Sequence, residues 1–122
     1  THMHISPAIP ILRFFDEAKM REFYLGFLGM TVDWEHRFDD NAPLYLQVSR
    51  SGMTLHLTEH HGDATPGSCA FVPMTGIEEF HAELTDKDYR NNRPGLVDLP
   101  WGRQVEVTDP SANRLRFCEL KG

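Results

Sequence analysis

Pro100-Trp101-Gly102-Arg103, the alternating run Gln104-Val105-Glu106-Val107-Thr108, then Asp109-Pro110-Ser111-Ala112-Asn113 is the stretch that decides the fold. A second strand signal, Arg114 to Leu120, follows it. Strand signals on both sides of Asp-Pro-Ser-Ala-Asn predict a hairpin. Asp and Pro set up the turn, and small or αL-tolerant residues complete it.

Working outward, Ser68 to Pro73 reads as a strand. Ile77, Phe80, His81 and Leu84 mark one helix face, with Thr75 as the expected N-cap. A loop over Asn91 to Gly95 and a strand over Leu96 to Leu99 lead into the hairpin. The first half has the same order. Ala8 to Phe15 is extended and apolar, and Pro7 and Pro10, which lack backbone donors, place it at a sheet edge or at a crossing between subunits. Asp16 fits an N-cap before a helix over Lys19 to Leu28. Met20, Phe23, Tyr24, Phe27 and Leu28 share one face of it, and Gly29 suits C′. Met30 to Arg37, Leu44 to Ser49 and Met53 to Glu59 read as strands, with Ser51-Gly52 as a tight turn. The expectation is an α+β fold of two βαβββ modules, 4–60 and 68–121, joined by a polar linker over 60–67 within one domain over 1–122.

The bulk numbers agree with one domain. The chain has 122 residues, 40% hydrophobic and 25% charged, the profile of a soluble globular protein. No apolar run approaches the ~20 residues of a membrane span, and no signal peptide is evident, so a cytoplasmic location without a membrane partner is expected. Thr1-His2-Met3 reads as a tag remnant. Cys69 and Cys118 lie in expected strands and read as reduced, buried small hydrophobes. The formal charge of −6 argues against nucleic acid and is compatible with a cationic ligand.

Several motifs carry a family likeness. They are Asp16, Phe23-Tyr24 and Leu28-Gly29 in the first half. In the second they are Gly76-Ile77-Glu78-Glu79-Phe80-His81-Ala82-Glu83-Leu84, Pro100-Trp101-Gly102-Arg103, Asp109-Pro110 and Asn113. Over nearly its whole length the chain resembles the bleomycin-resistance proteins of the vicinal-oxygen-chelate superfamily, which includes glyoxalases and extradiol dioxygenases. Ala112 departs from the family's usual Gly, so an adjusted turn is expected. The resemblance implies curled mixed sheets that face each other around a cup, often across a homodimer interface.

It also implies where metal ligands would stand. The positions are Ile9, His56, Ser68 or Cys69, and Arg116. Ile9 cannot coordinate, and Arg116 puts a permanent cation where a metal would sit. No metal and no cofactor are therefore expected. Bleomycin-resistance proteins likewise lack the metal and act by sequestering the drug.

The expected ligand-binding residues are Trp101, Trp34, Phe38, His56, Arg116, Arg103 and Ser68. An indole stacks a planar heteroaromatic group and attracts a cationic tail. In Val32-Asp33-Trp34-Glu35-His36-Arg37, strict alternation places Val32, Trp34 and His36 on one face. His56 is expected to face the cavity and to bond a ligand or Arg116. An inward Arg116 needs Glu106, Glu119 or an anionic ligand as partner. Asp33, Glu35, Asp39 and Asp40 offer an acidic rim, and Glu59, His60, His61 and Asp63 a polar corner. No nucleophile elbow, phosphate-binding glycine loop or Cys-x-x-Cys is present. The sequence thus points to a metal-free homodimer that sequesters a bleomycin-like or other planar, partly cationic small molecule. The alternative is a metal-dependent lyase or dioxygenase with an atypical site around His56, joined by His60 or His61.

Overall fold

A computed structural model describes residues 2–90 and 92–122; Thr1 of the expected tag remnant and Asn91 of the expected loop lie outside the described residues. The first module runs β1 (Ile11–Arg13), α1 (Glu17–Arg21, continued by a π-helical turn over Glu22–Phe27), β2 (Thr31–His36), β3 (Tyr45–Arg50) and β4 (Met53–Thr58). The second runs β5 (Cys69–Pro73), α2 (Ile77–Asp86), β6 (Leu96–Leu99), β7 (Gly102–Thr108) and β8 (Arg114–Leu120). Each module is a four-stranded mixed sheet. The orders are β1-β4-β3-β2 and β5-β8-β7-β6, with the first strand of each parallel to its neighbour and the other pairs antiparallel.

The helix of module one begins where the sequence places it. Asp16 is the N-cap and accepts from Lys19 N at 3.0 Å, satisfying one orphan donor of the first turn. Its expected face is buried throughout: Met20, Phe23, Tyr24, Phe27 and Leu28 are at most 2% exposed. The second half of the helix widens, with Leu28 N donating to Phe23 O rather than to the fourth carbonyl back. This turn broadens the buried face, so that adjacent Phe23 and Tyr24 both go inside, edge to face at 4.9 Å.

Three local expectations are corrected. The extended segment of module one is regular only over Ile11–Arg13. Gly76, with φ +79°, caps α2 in place of Thr75. Its own side chain offers nothing, so Glu119 reaches over from β8 and accepts from Gly76 N at 2.8 Å and Ile77 N at 3.0 Å. Cys69 is exposed, whereas Cys118 is buried as expected.

The core is continuous across both modules. Leu12, Leu46, Val48, Leu55 and Leu57 of sheet one and Val105, Val107, Leu115 and Phe117 of sheet two close on the buried faces of α1 and α2. The Asp109–Asn113 turn ties the halves together. Asp109 Oδ1 accepts from Ser111 N and Asn113 N, both at 2.8 Å. Its Oδ2 accepts from Tyr24 Oη at 2.6 Å and Asn113 Nδ2 at 2.9 Å. Asn113 Nδ2 also donates to Arg13 O at 2.7 Å. Desolvation, then the Asp109 charge, pushes the Tyr24 phenol well above its usual range. Ala112 adopts φ +68°, so Ala occupies the left-handed position where Gly is unstrained. Gly102 is required for space: a Cβ there would lie 2.3 Å from the backbone oxygen of Glu119.

Candidate ligand-binding site

One extra residue in β2 creates the site. Val32 pairs with Val48 and Trp34 with the next residue, Gln47, so Asp33 is a β-bulge. Val32 therefore shares the core-facing side with Val48, while Trp34 shares the open side with Gln47 and His56. The expected alternation through Val32, Trp34 and His36 is corrected here, because the bulge moves Trp34 to the opposite face from Val32. Beyond the bulge Glu35 returns to the helix side and meets Arg21 at 3.1 Å, and His36 shares the open side with Tyr45.

The open face of sheet one then carries a packed aromatic group. Trp34 stacks on Tyr45 at 5.9 Å and 9°, and each meets His56 edge to face, at 5.4 and 5.2 Å. Phe38, in the loop after β2, meets His36 edge to face at 4.8 Å. Trp34 is 44% and Phe38 90% exposed, so the aromatic surface is open to a ligand.

A hydrogen-bond chain fixes this surface. Gln47 Nε2 donates to Asp33 Oδ2 at 3.0 Å, which leaves Gln47 Oε1 to accept from His56 Nε2 at 3.0 Å. His56 Nδ1 then accepts from Tyr45 Oη at 2.7 Å. This order directs the Nε2–H of His56 at Gln47, with both ring nitrogens engaged. Ser49 Oγ also donates to Asp33, at 2.9 Å. The bonds from Gln47 and Ser49 hold the Asp33 carboxyl below its usual range, and desolvation, then Asp63, raises the Tyr45 phenol. The arrangement can offer a flat aromatic platform edged by acceptors.

Of the sequence candidates, Trp34, Phe38 and His56 come together on this face. Tyr45 and Gln47 were missed. The signal was the alternation Tyr45-Leu46-Gln47-Val48-Ser49, which puts polar groups opposite a core-facing pair. The other candidates lie elsewhere. Trp101 is 53% exposed at the β6–β7 turn of sheet two. Arg103 is on the helix side of that sheet, paired with Glu78 of α2 and with Asp98 at 3.0 Å. The Ser68 hydroxyl donates to Thr65 O at 2.9 Å. Arg116 lies on the open side of sheet two, 2.7 Å from Glu106, and does not meet His56. His60 and His61 stack on each other at 5.1 Å in the exposed linker. Asp39 accepts from Asn41 N at 2.9 Å within its own loop, and Asp40 is exposed. Arg13 Nε is buried without a hydrogen-bond partner, and its guanidinium rests 4.5 Å over the Phe15 ring.

A separate groove of about 1260 Å³ runs between the β3–β4 hairpin and the β5–α2 region. Pro10, Met53, Leu55, Phe71, Phe80 and Phe117 line it, and the bidentate Arg50–Glu83 pair, 2.7 Å at each contact, stands at its wall. Trp34, Tyr45, His56 and Trp101 do not line it.

The donor set does not fit a metal. Among the described residues no three His, Cys, Asp or Glu side chains gather as a cage. At the positions implied by the resemblance, Ile9 has no donor atom, Arg116 is cationic, and His56 has no free ring nitrogen. No helix among the described residues is long and apolar enough to cross a membrane.

A family model described as a glyoxalase superfamily protein matches residues 1–122. Among solved structures, the chain is similar to TnmS3, an antibiotic-binding protein from Streptomyces sp. CB03234 (21% identity, 98% of this chain and 100% of that one, TM-score 0.76). It is also similar to the bleomycin-binding protein of Streptomyces verticillus, solved with copper(II)-bleomycin (23% identity, 98% and 100%, TM-score 0.73). A third is a glyoxalase/bleomycin resistance/dioxygenase superfamily member from Sphaerobacter thermophilus (20%, 94% and 98%, TM-score 0.69). At these identities the likeness establishes the fold. No curated protein matches the chain.

Proposed function

The chain belongs to the glyoxalase superfamily, and from that premise we propose that it is a metal-free binding protein for a planar, partly cationic small molecule of the bleomycin type. It holds its ligand without breaking a bond. The observation that carries this reading is the Trp34–Tyr45–His56 group: a half-exposed indole on an open sheet face, backed by a second ring and edged by the Asp33 carboxylate. A planar ring system stacks on Trp34, and a cationic tail gains both the indole face and the acceptors beside it. The antibiotic- and bleomycin-binding proteins of the same fold lend support.

The working unit in this proposal is a homodimer. Trp34, Val97 and Leu120 on the sheets and Trp101 at the β6–β7 turn are all exposed apolar side chains, more than a single chain covers. A two-fold pairing would set the Trp34 face of one copy against a sheet of the other and enclose a ligand between them. The competing reading, a lyase or dioxygenase metal site on His56, draws no support from an imidazole whose two nitrogens are engaged by Tyr45 and Gln47.

The test is a calorimetric titration with copper-loaded bleomycin, with tryptophan fluorescence followed in parallel. One drug per chain, quenching, and an affinity of about −8 kcal/mol or better are expected. Absence of binding would sink the drug assignment; binding unaffected by Trp34→Ala would sink the site.

A further inference from the structure

We propose that the open face of sheet two binds an aromatic carboxylate, its oxygens held between Arg114 and Arg116 and its ring against Phe71. Leu115 and Phe117 face the core, so alternation along β8 puts Arg114 and Arg116 side by side on the opposite face. In register, Arg114 stands between Cys69 and Thr108, and Arg116 between Phe71 and Glu106. Phe71 is 46% exposed.

The charge on this face is uncompensated. Arg21, Arg37, Arg50, Arg93, Arg103 and Arg116 each sit against a carboxylate. Among the described residues Arg114, like Arg13 and Arg90, has none within ion-pair distance, although the chain carries a formal charge of −6. Arg116 gives only its Nε to Glu106, so its terminal fork carries no bond to a described residue. Two guanidiniums at neighbouring positions of one face, with the single carboxylate of Glu106 bound to Arg116 alone, leave one positive charge. The guanidinium fork matches a carboxylate bidentately, and a ring attached to that carboxylate finds Phe71 in the same row. Thr108 adds a hydroxyl beside Arg114. This site shares no residue with the Trp34 face and does not depend on what that face binds.

The probes are benzoate, its neutral isostere benzamide, and inorganic phosphate, titrated into isotope-labelled protein with the amide shifts of β5 and β8 as readout. Benzoate is expected to saturate at least about tenfold more tightly than benzamide, as a charge-assisted pair requires, and more tightly than phosphate. Arg114→Gln and Arg116→Gln each weaken benzoate by about tenfold, and Glu106→Gln, which removes the competing carboxylate, tightens it. Trp34→Ala leaves benzoate binding unchanged, which separates this site from the one on sheet one. Equal binding of benzoate and benzamide, or of benzoate by the wild type and Arg114→Gln, would overturn the proposal. Phosphate binding as tightly as benzoate would overturn the aromatic part.

Discussion

Replacing Asp109 tests whether the Asp-Pro-Ser-Ala-Asn turn is the joint between the modules rather than a ligand contact. Its carboxylate is 5% exposed and accepts four hydrogen bonds, from Ser111 N, Asn113 N, Asn113 Nδ2 and the Tyr24 hydroxyl. Tyr24 and Asn113 are fully buried, so their donors have no water to turn to when the acceptor is lost. Each buried donor left unmade costs about 1–3 kcal/mol, and bonds to a charged acceptor fall at the upper end. The four are not additive, since the Asn113 amide retains Arg13 O and the turn can shift. We expect Asp109→Ala to cost about 3–5 kcal/mol, a large share of the ~5–15 kcal/mol available to a domain. Urea unfolding at neutral pH measures this. Tyr24→Phe, alone and combined with Asp109→Ala, completes a double-mutant cycle. Alone it should cost about 1.5–3 kcal/mol; in the Asp109→Ala background it should cost nothing or stabilise, because it removes the hydroxyl left unpaired. A loss below about 1 kcal/mol for Asp109→Ala, or strict additivity of the pair, would refute the joint.

Gly102→Ala forces a Cβ to within 2.3 Å of backbone at Glu119, so β7 and β8 must separate locally; a loss of about 3 kcal/mol in unfolding free energy is expected, read from the fall in denaturant midpoint. Ala112→Gly relieves the φ of +68° and should stabilise by about 0.5–1 kcal/mol, read as a rise in Tm. Trp34→Ala should cost about 0.5–1.5 kcal/mol in stability, the worth of its contacts with Tyr45 and His56, and about tenfold in affinity for a planar ligand. Stability should fall at alkaline pH. The folded Tyr24 phenol has its pKa raised, so its contribution is complete below the unfolded value of 10.0. It is lost as pH rises from there, where the unfolded phenol ionises and the folded one does not. Tyr24→Phe should flatten this decline, measured by urea midpoints from about pH 9 to 11.

The features legible in the sequence are those set by neighbours along the chain. Asp16 caps α1 because its own carboxylate reaches a donor three residues on. The buried face of that helix follows from the spacing of Met20, Phe23, Tyr24, Phe27 and Leu28, and the β8 bounds follow from the alternation after Asn113. The candidate site was legible only in part. Trp34, Phe38 and His56 were recognisable as chemical types, but Tyr45 and Gln47 look like ordinary strand residues until His56 is placed across from them.

By itself, then, the sequence determined the doubled strand–helix–strand order, the hairpin at Asp109–Asn113 and the apolar face of α1, because local periodicity and turn chemistry act over a few residues. Only the tertiary structure decided which way Trp34 points, since the bulge at Asp33 arises from pairing with β3 and reverses the alternation. It also decided that Arg103 braces α2 from sheet two, that Glu119 caps a helix 42 residues away, and that Asp109 grips Tyr24 from 85 residues along the chain. Such partners are chosen by packing and register between distant segments, and no spacing within either segment encodes them.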